Sequence, residues 1–226
     1  MDIMRSVDIK NLEVLELLDD WIQLAFQNKP CNEFDTNRFL SVGHSGHHQS
    51  ATDRNDYISD KHRDHIIGMG TSHNGFPESG RFFDMRKASL KHFDIKNVEG
   101  YTLLDQKMQT TLATRGNALA SVYPPGGFIS WHNNANAPSY NLVITWSENG
   151  DGYWKHVDPH TGETIVVPDK PGWQCKAFYF GAYADDPENL VYHMASTDCW
   201  RITCSYIFDR SNKQFWEDII EEIETP

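Results

Sequence analysis

Two histidines and one arginine, each on a short run rich in β-forming residues, are the side chains of this chain best suited to chemistry. His132 ends one run, His193 lies on a later one, and Arg201 opens the run after that. Imidazole is the commonest neutral ligand for first-row transition metals. Guanidinium holds a carboxylate through two parallel hydrogen bonds. Together the three residues predict a non-haem iron site beside a pocket for an anion.

Arg201 opens a run in which every second residue shares its face. A period of two places Thr203 and Ser205 on that face, where their hydroxyls could assist in binding a carboxylate. A charged head among apolar neighbours needs a partner, because unpaired burial is costly. An ordinary salt bridge would meet that need, and so would an anionic co-substrate.

The remaining histidines carry weaker signals. Five of them are close enough in sequence to suggest zinc, but no cysteine lies nearby and no fourth ligand is evident, so a solvated loop is the simpler interpretation. These five are His44, His47, His48, His62 and His65. His156 and His160 flank a turn, and we predict that both are exposed.

The chain changes character between residues 118 and 209. Short runs rich in Val, Ile, Tyr, Phe, Trp and Thr alternate there with turn clusters, which predicts strands. The predicted strands are 118–123, 128–132, 139–147, 152–157, 163–167, 173–180, 190–195 and 200–208. Asn149-Gly150 and Thr161-Gly162 are candidate hairpin turns. Short strands with regular turns predict a mainly β fold, a jelly roll or related double-sheet barrel.

Helices are expected on both sides of this core. Apolar residues at helical spacing predict one helix over 11–27 and another over 102–115. A capping box of Ser211 and Gln214 predicts a third at the C-terminus. Residues 31–100 show little periodicity, with short strands expected near 57–58 and 81–85. We therefore predict one domain over 1–226, divided into an elaboration (1–117), a core (118–209) and a terminal helix (210–226).

Composition narrows the class of partner. The formal net charge is −12, and an acidic surface repels phosphate backbones, so nucleic-acid binding is disfavoured. No apolar signal region and no membrane-spanning run are apparent, so we expect a cytoplasmic protein with reduced thiols. The four cysteines, with no CxxC pair, are interpreted as small buried residues.

The motifs around the three candidate residues resemble those of the iron(II)/2-oxoglutarate-dependent dioxygenases. YPPGGFISWHNN is similar to the stretch that delivers the first iron ligand, NLVYHMA to the second-histidine strand, and RITCSY to the strand whose arginine binds 2-oxoglutarate. The likeness covers residues 118–209 and is greatest to small members from bacteriophages. The resemblance implies a double-stranded β-helix (a cupin-like jelly roll), with Fe(II), 2-oxoglutarate and O2 as cofactor and co-substrates, acting in the cytoplasm of a host cell if the protein is viral.

By position, the resemblance implies a role for each of several residues. His132 and His193 would bind iron, and Arg201 would bind the C5 carboxylate of 2-oxoglutarate with help from Thr203 or Ser205. Tyr123 and Asn141 would line the same pocket. Hydroxylation of a small molecule or peptide is the expected reaction, with halogenation as a minor possibility.

Asn134 departs from the family pattern, which has Asp or Glu two residues after the first histidine. A neutral amide oxygen is a poorer ligand for iron(II). Asn134 could ligate weakly, water or chloride could fill the position, or the site could have lost its metal. We favour a functional two-histidine site. The missing carboxylate could also come from elsewhere, the candidates being Asp53, Asp56, Asp64 and Asp84.

Two other function classes remain open. A metal-poor jelly-roll module could bind a carbohydrate or an acidic metabolite at the barrel mouth, with tryptophans such as Trp131 and Trp154 stacking on sugar. A non-redox metal enzyme of the cupin type could join His132 and His193 to a distant carboxylate.

Overall fold

A computed structural model describes residues 4–26, 54–85 and 95–226. The described part is mainly β, with two antiparallel sheets and several helices, an arrangement consistent with the predicted jelly roll. The strands are β1 (Met4–Val7), β2 (Gly80–Arg81), β3 (Phe83–Asp84), β4 (Gly116–Tyr123), β5 (Gly127–His132), β6 (Ser139–Ser147), β7 (Gly152–Val157), β8 (Thr164–Pro168), β9 (Gly172–Phe180), β10 (His193–Thr197) and β11 (Arg201–Phe208). One sheet has the order β1-β9-β6-β11-β4-β3, and the other has the order β2-β5-β10-β7-β8.

Five α-helices accompany the sheets in the described residues. They are α1 (Leu12–Phe26), α2 (Arg54–Tyr57), α3 (Asp60–Met69), α4 (Ile95–Thr111) and α5 (Lys213–Ile223). The Asn11 side chain accepts from Val14 N at 3.1 Å and so caps the start of α1. Apolar residues of α1, α4 and α5 form the largest core cluster together with one face of the six-stranded sheet.

The six-stranded sheet therefore has one face toward the helices and one toward the second sheet. On β11, Ile202 and Cys204 lie in the helix-facing cluster, so the alternate residues Arg201, Thr203 and Ser205 face the space between the sheets. A contact of Phe180 on β9 with His193 on β10, with ring centroids 4.9 Å apart, shows that the sheets pack on each other. This space between the sheets, here called the interior, holds most of the candidate site residues.

Several element predictions hold and several need correction. The segment 57–58 is not a strand, because α2 ends at Tyr57, whereas 81–85 does contain short strands. The mid-chain helix starts earlier than predicted, at Ile95, and the strand predicted at 190–195 begins only at His193. Strand β1, which pairs with β9, was not predicted.

One of the two turn predictions and the prediction of a capping box were wrong. Asn149-Gly150 does not close a hairpin, because β6 and β7 belong to different sheets and the turn carries the chain across. Thr161-Gly162 does lie in a hairpin, between the paired strands β7 and β8. The capping box at the last helix is also wrong, since Asn212 accepts from Phe215 N at 3.3 Å and acts as the cap.

The chain ends of the described structure are tied together. Strand β1 lies on the edge beside β9, and the backbone N–H groups of Lys10 and Asn11 both donate to Ile223 O, at 2.8 and 3.0 Å. Cys175, Cys199 and Cys204 are buried, as predicted, and form no disulfide within the described residues, while Cys31 lies outside them. No helix among the described residues is long and apolar enough to cross a bilayer.

Candidate functional site

His132 and His193 come together at one end of the interior. Strands β5 and β10 are antiparallel, and their register sets the two histidines directly opposite each other. Residues opposite each other in an antiparallel pair project to the same face. The ring centroids lie 4.1 Å apart with planes inclined at 50°, and both side chains are buried. Sequence reasoning thus paired two residues that the fold brings into contact.

The hydrogen bonds of both rings fix the same tautomer. His132 Nδ1 lies 2.7 Å from Ser130 O, and His193 Nδ1 lies 3.2 Å from Val191 O. A carbonyl only accepts, so in each neutral ring Nδ1 carries the proton and Nε2 keeps its lone pair. This backbone support is the usual arrangement behind a metal-binding imidazole.

Burial also keeps both rings in the state that a metal requires. Desolvation lowers the pKa of His132 to about 4, and the carbonyls of Ser130 and His193 offset this only in part. The pKa of His193 falls well below its usual value, first through burial and then through repulsion by His132. Both imidazoles are therefore neutral near pH 7, and ligation of a metal costs no deprotonation.

The spacing of the two rings suits a shared cation. Two imidazoles at right angles on one ion, with metal–nitrogen bonds of about 2.1 Å, would have centroids roughly 4.5 Å apart. The observed separation is 4.1 Å. A complete ligand set is not formed, because no three His, Cys, Asp or Glu side chains are grouped to hold a metal within residues 4–26, 54–85 and 95–226. The donors present fit a site with two protein ligands.

Asn134, the predicted third ligand, lies in the turn between β5 and β6. Its backbone carbonyl accepts a hydrogen bond from Ala137 N at 3.1 Å, and its side chain is partly exposed. The preceding Asn133 is fully buried and donates to Tyr183 OH at 2.6 Å. Ligation by Asn134 therefore stays a prediction.

Of the alternative carboxylates, only Asp56 and Asp64 have side chains that the structure describes, and neither strengthens the ligand set. Asp56 and Asp64 are exposed, on α2 and α3. Asp84 pairs through its backbone with Ser121 on β4. Asp53 lies outside the described residues, as do His44, His47 and His48.

His156 was predicted to be exposed, and that prediction was wrong. It lies on β7 directly opposite His193 and is only 1% exposed. Its ring stacks on Trp154 with centroids 4.6 Å apart, and its buried Nδ1 has no hydrogen-bond partner among the described residues. The period of two along β7 could have placed His156 and Trp154 on one face, but sequence alone does not give the register with β10.

His73 is a buried residue near the site that sequence reasoning missed. Its Nδ1 accepts from Gly75 N at 3.2 Å, and its positive form would repel a protonated His132. A Cβ at Gly75 would lie 2.4 Å from that of Ala135, so this loop packs tightly on the turn that carries Asn134. The segment has no periodicity that could have revealed the contact.

The helix α3 histidines differ from each other. His65 is exposed, as predicted. His62 is partly buried with its Nε2 3.9 Å from Glu78 Oε2, so its predicted solvation was only partly right. His160 is exposed, in agreement with the prediction.

Arg201 lies at the opposite end of the interior and already has a carboxylate partner. Its Nε donates to Asp169 Oδ2 at 2.8 Å, and both side chains are almost completely buried. Its Nη1 donates to Thr203 Oγ1 at 2.5 Å, and its guanidinium carbon lies 5.4 Å from the centroid of the Tyr123 ring. Of the two partners that the sequence allowed, the structure contains the salt bridge.

The other predicted pocket residues lie between the two ends. Ser205 Oγ donates to Asn141 Oδ1 at 3.0 Å, and Asn141 Nδ2 donates to Ser139 Oγ at 2.9 Å. All three are buried polar residues. The interior thus has a hydrogen-bonded polar wall running from Asn141 toward Arg201.

Gly152 shows where the arginine end lies relative to the histidines. A Cβ on Gly152 would be 2.6 Å from Asp169 Oδ2 and 2.9 Å from Thr197 Oγ1, so the ion pair sits beside Thr197. Thr197 and His193 are the two ends of β10, a separation of about 13 Å at the usual rise per residue. An extended ligand between them would meet imidazoles at one end and a guanidinium at the other.

Comparisons with known proteins give only distant likenesses. No protein-family model matches the chain, and no curated protein sequence matches it. A prolyl-4-hydroxylase from Pseudomonas putida aligns over 71% of this chain and 84% of its own, at 13% identity and a TM-score of 0.30. The viral collagen prolyl hydroxylase of Paramecium bursaria Chlorella virus-1, in a 2OG complex, aligns over 67% and 91%, at 11% identity and 0.29. Hazelnut vicilin aligns over 70% and 43%, at 14% identity and 0.21. Scores this low decide neither fold nor function.

Proposed function

We propose that this protein is an iron(II)- and 2-oxoglutarate-dependent oxygenase built on a jelly roll, and that it hydroxylates a small molecule or a peptide. The observation that carries the proposal is the His132–His193 pair. Two buried imidazoles touch across neighbouring strands, and each has its Nδ1 on the backbone carbonyl two residues before it. Two histidines that served only to pack the interior would not need their Nε2 lone pairs side by side.

The chain's own residues have separable tasks in this proposal. His132 and His193 offer Nε2 to the metal, and Asn134 or water completes the set. Arg201 faces the same interior and holds the distal carboxylate of 2-oxoglutarate, while Thr203 keeps the guanidinium oriented through its hydrogen bond. Bound iron with 2-oxoglutarate and O2 supplies oxidation of a C–H bond, coupled to decarboxylation to succinate. The buried walls exclude water from the reacting atoms.

The test is an anaerobic absorption spectrum of the protein with iron(II) and 2-oxoglutarate. We expect a weak visible charge-transfer band, and slow succinate formation once air is admitted. Replacing His193 with Ala should abolish both signals. The matched control is His160→Ala, which removes an exposed histidine from the β7–β8 turn and should leave both unchanged. A wild-type protein that shows neither signal contradicts the proposal.

Asn134→Asp refines the same experiment. A carboxylate two residues after His132 should tighten iron(II) binding if the side chain faces the metal, because it adds the negative charge that the site lacks. Unchanged iron affinity would show that Asn134 is not at the third position.

A metal-poor binding module is the second candidate, and one observation favours it. Arg201 is neutralised inside the protein by Asp169, so its charge is not wholly available to a co-substrate. A binding module would bind its ligand equally well in His193→Ala and would form no succinate.

A further inference from the structure

The interior contains a second cation, Lys176 on β9. Lys176 is opposite Val143 on β6, and Val143 is opposite Ser205 on β11. Opposite residues share a face, and Ser205 faces the interior beside Asn141. The neighbours of Lys176 along β9, Cys175 and Ala177, lie instead in the helix-facing cluster. The ammonium therefore enters the same space as the guanidinium of Arg201.

The surroundings of Lys176 leave its charge uncompensated. Its Nζ donates to the neutral Gln174 Oε1 at 3.0 Å, and among the described residues no ion pair of Lys176 is formed. Burial lowers its pKa, Asp169 acts in the opposite direction, and Arg201 lowers it further. Gln174 in turn donates through Nε2 to the backbone carbonyl of Lys170 at 3.4 Å, and Lys170 directly follows Asp169, so the ammonium is directed toward the arginine end.

A count of charges at this end of the interior shows why the lysine matters. Arg201 and Asp169 cancel as a buried ion pair. A neutral pair gives little attraction for a further carboxylate, since the guanidinium field is offset by an anion at hydrogen-bond distance. Lys176 restores one positive charge, which is what one carboxylate requires.

We propose that Lys176 supplies the net positive charge that attracts the distal carboxylate of a dicarboxylate co-substrate, with Asp169 holding Arg201 in position beside it. This inference rests on the proposed function, since the dicarboxylate is the 2-oxoglutarate of that reaction. The ligand chemistry is thus a dicarboxylate rather than a monocarboxylate.

Isothermal titration calorimetry of anaerobic iron(II)-loaded protein with 2-oxoglutarate tests this. Lys176→Met should weaken binding about tenfold, as expected for loss of a half-buried opposite charge. Lys176→Arg should restore binding to within about threefold. The matched control is Lys155→Met on β7. Lys155 is opposite Met194, which belongs to a different apolar cluster, and its Nζ lies 5.2 Å from the centroid of the Tyr153 ring. It removes the same charge and should leave the affinity unchanged.

Two further measurements separate the outcomes. Pyruvate lacks the distal carboxylate, so its affinity should be the same in wild type and Lys176→Met. Asp169→Asn should tighten 2-oxoglutarate binding, because it raises the net charge. If 2-oxoglutarate binds the wild type and Lys176→Met equally, Lys176 has no such role while the proposed function stands. If the wild type binds no 2-oxoglutarate, both proposals fail.

Discussion

The two ends of the interior differ in how their buried polar groups are stabilised. At the histidine end, the rings of His132 and His193 are neutral near pH 7, and each holds its Nδ1 on a backbone carbonyl, which leaves a lone pair on Nε2. At the arginine end, Arg201 has both a carboxylate and a hydroxyl from the same chain. The first end has the lone pairs that the proposed metal would need, and at the second end a buried ion pair already neutralises the guanidinium. Stability should therefore depend on the arginine end, and metal binding on the histidine end.

The largest expected effect comes from breaking the arginine end. Arg201→Met leaves Asp169 as an unpaired buried charge, and such a loss costs about 3–5 kcal/mol. Urea unfolding should show this fall in the free energy of unfolding. The double variant Arg201→Met/Asp169→Leu should recover part of it, because no buried charge remains. Equal stability of the single variant and wild type would contradict the contrast between the two ends.

The next effect is the response of the histidine end to pH. Burial lowers the pKa of both His132 and His156 to about 4, below the value near 6.5 of an unfolded chain. Between these values the unfolded state binds more protons, so this stability is present above about pH 6.5 and is lost as pH falls toward 4. Each residue should account for roughly 3 kcal/mol over that window.

Urea unfolding at pH 7.5 and pH 5 measures this response. His132→Gln should lose less stability than wild type between the two pH values, since glutamine does not titrate. His160→Ala, on the exposed turn, should follow the wild type. If the free energy of unfolding of His132→Gln changes with pH as much as that of the wild type, the buried neutral state of His132 is not the source of the pH dependence.

A smaller effect should follow from crowding the Arg201–Asp169 pair. In Gly152→Ala, the added Cβ would lie 2.6 Å from Asp169 Oδ2, and such overpacking costs about 1–3 kcal/mol. Gly68→Ala is a matched control in α3, where a Cβ meets nothing within 4 Å and the change should be neutral or stabilising by up to about 1 kcal/mol. Thermal unfolding compares the two, and a Gly152→Ala protein as stable as wild type would show that the ion pair can shift at no cost.

The smallest effect concerns the buried nitrogen of His156. Its Nδ1 has no hydrogen-bond partner within the part of the chain that the structure describes, and phenylalanine would keep an aromatic ring stacked on Trp154 while removing the unpaired polar atom. His156→Phe should raise the free energy of unfolding by about 1 kcal/mol and leave iron(II) binding unchanged. A loss of iron affinity would instead place His156 among the metal ligands.

The sequence predicted what depends on local pattern and missed what depends on register. Alternation along 200–208 placed Arg201, Thr203 and Ser205 on one face, and the structure has them there. The Asn149-Gly150 turn has the composition of a hairpin, yet it connects two sheets, because strand partners are chosen by packing rather than by turn residues.

The candidate site shows the same division. Residue type and motif singled out His132 and His193, which the structure brings into contact. Asp169 was not foreseen as the partner of Arg201, because it lies just after β8, in a turn cluster, and only the approach of the two sheets brings it near. His73 and Lys176 were also not predicted, because neither belongs to a recognisable motif.

The tie between the chain ends has a consequence for connectivity. Because β1 lies on the edge beside β9 and Ile223 O accepts from Lys10 and Asn11, the start of the described chain adjoins the end of α5. A short flexible linker from the residues after α5 to β1 would need to span little distance. New termini could then be opened in the exposed β7–β8 turn at Thr161, far along the chain from His132 and Arg201. Such a circular permutant would keep both sheets intact, because β7 and β8 would still pair within the same sheet.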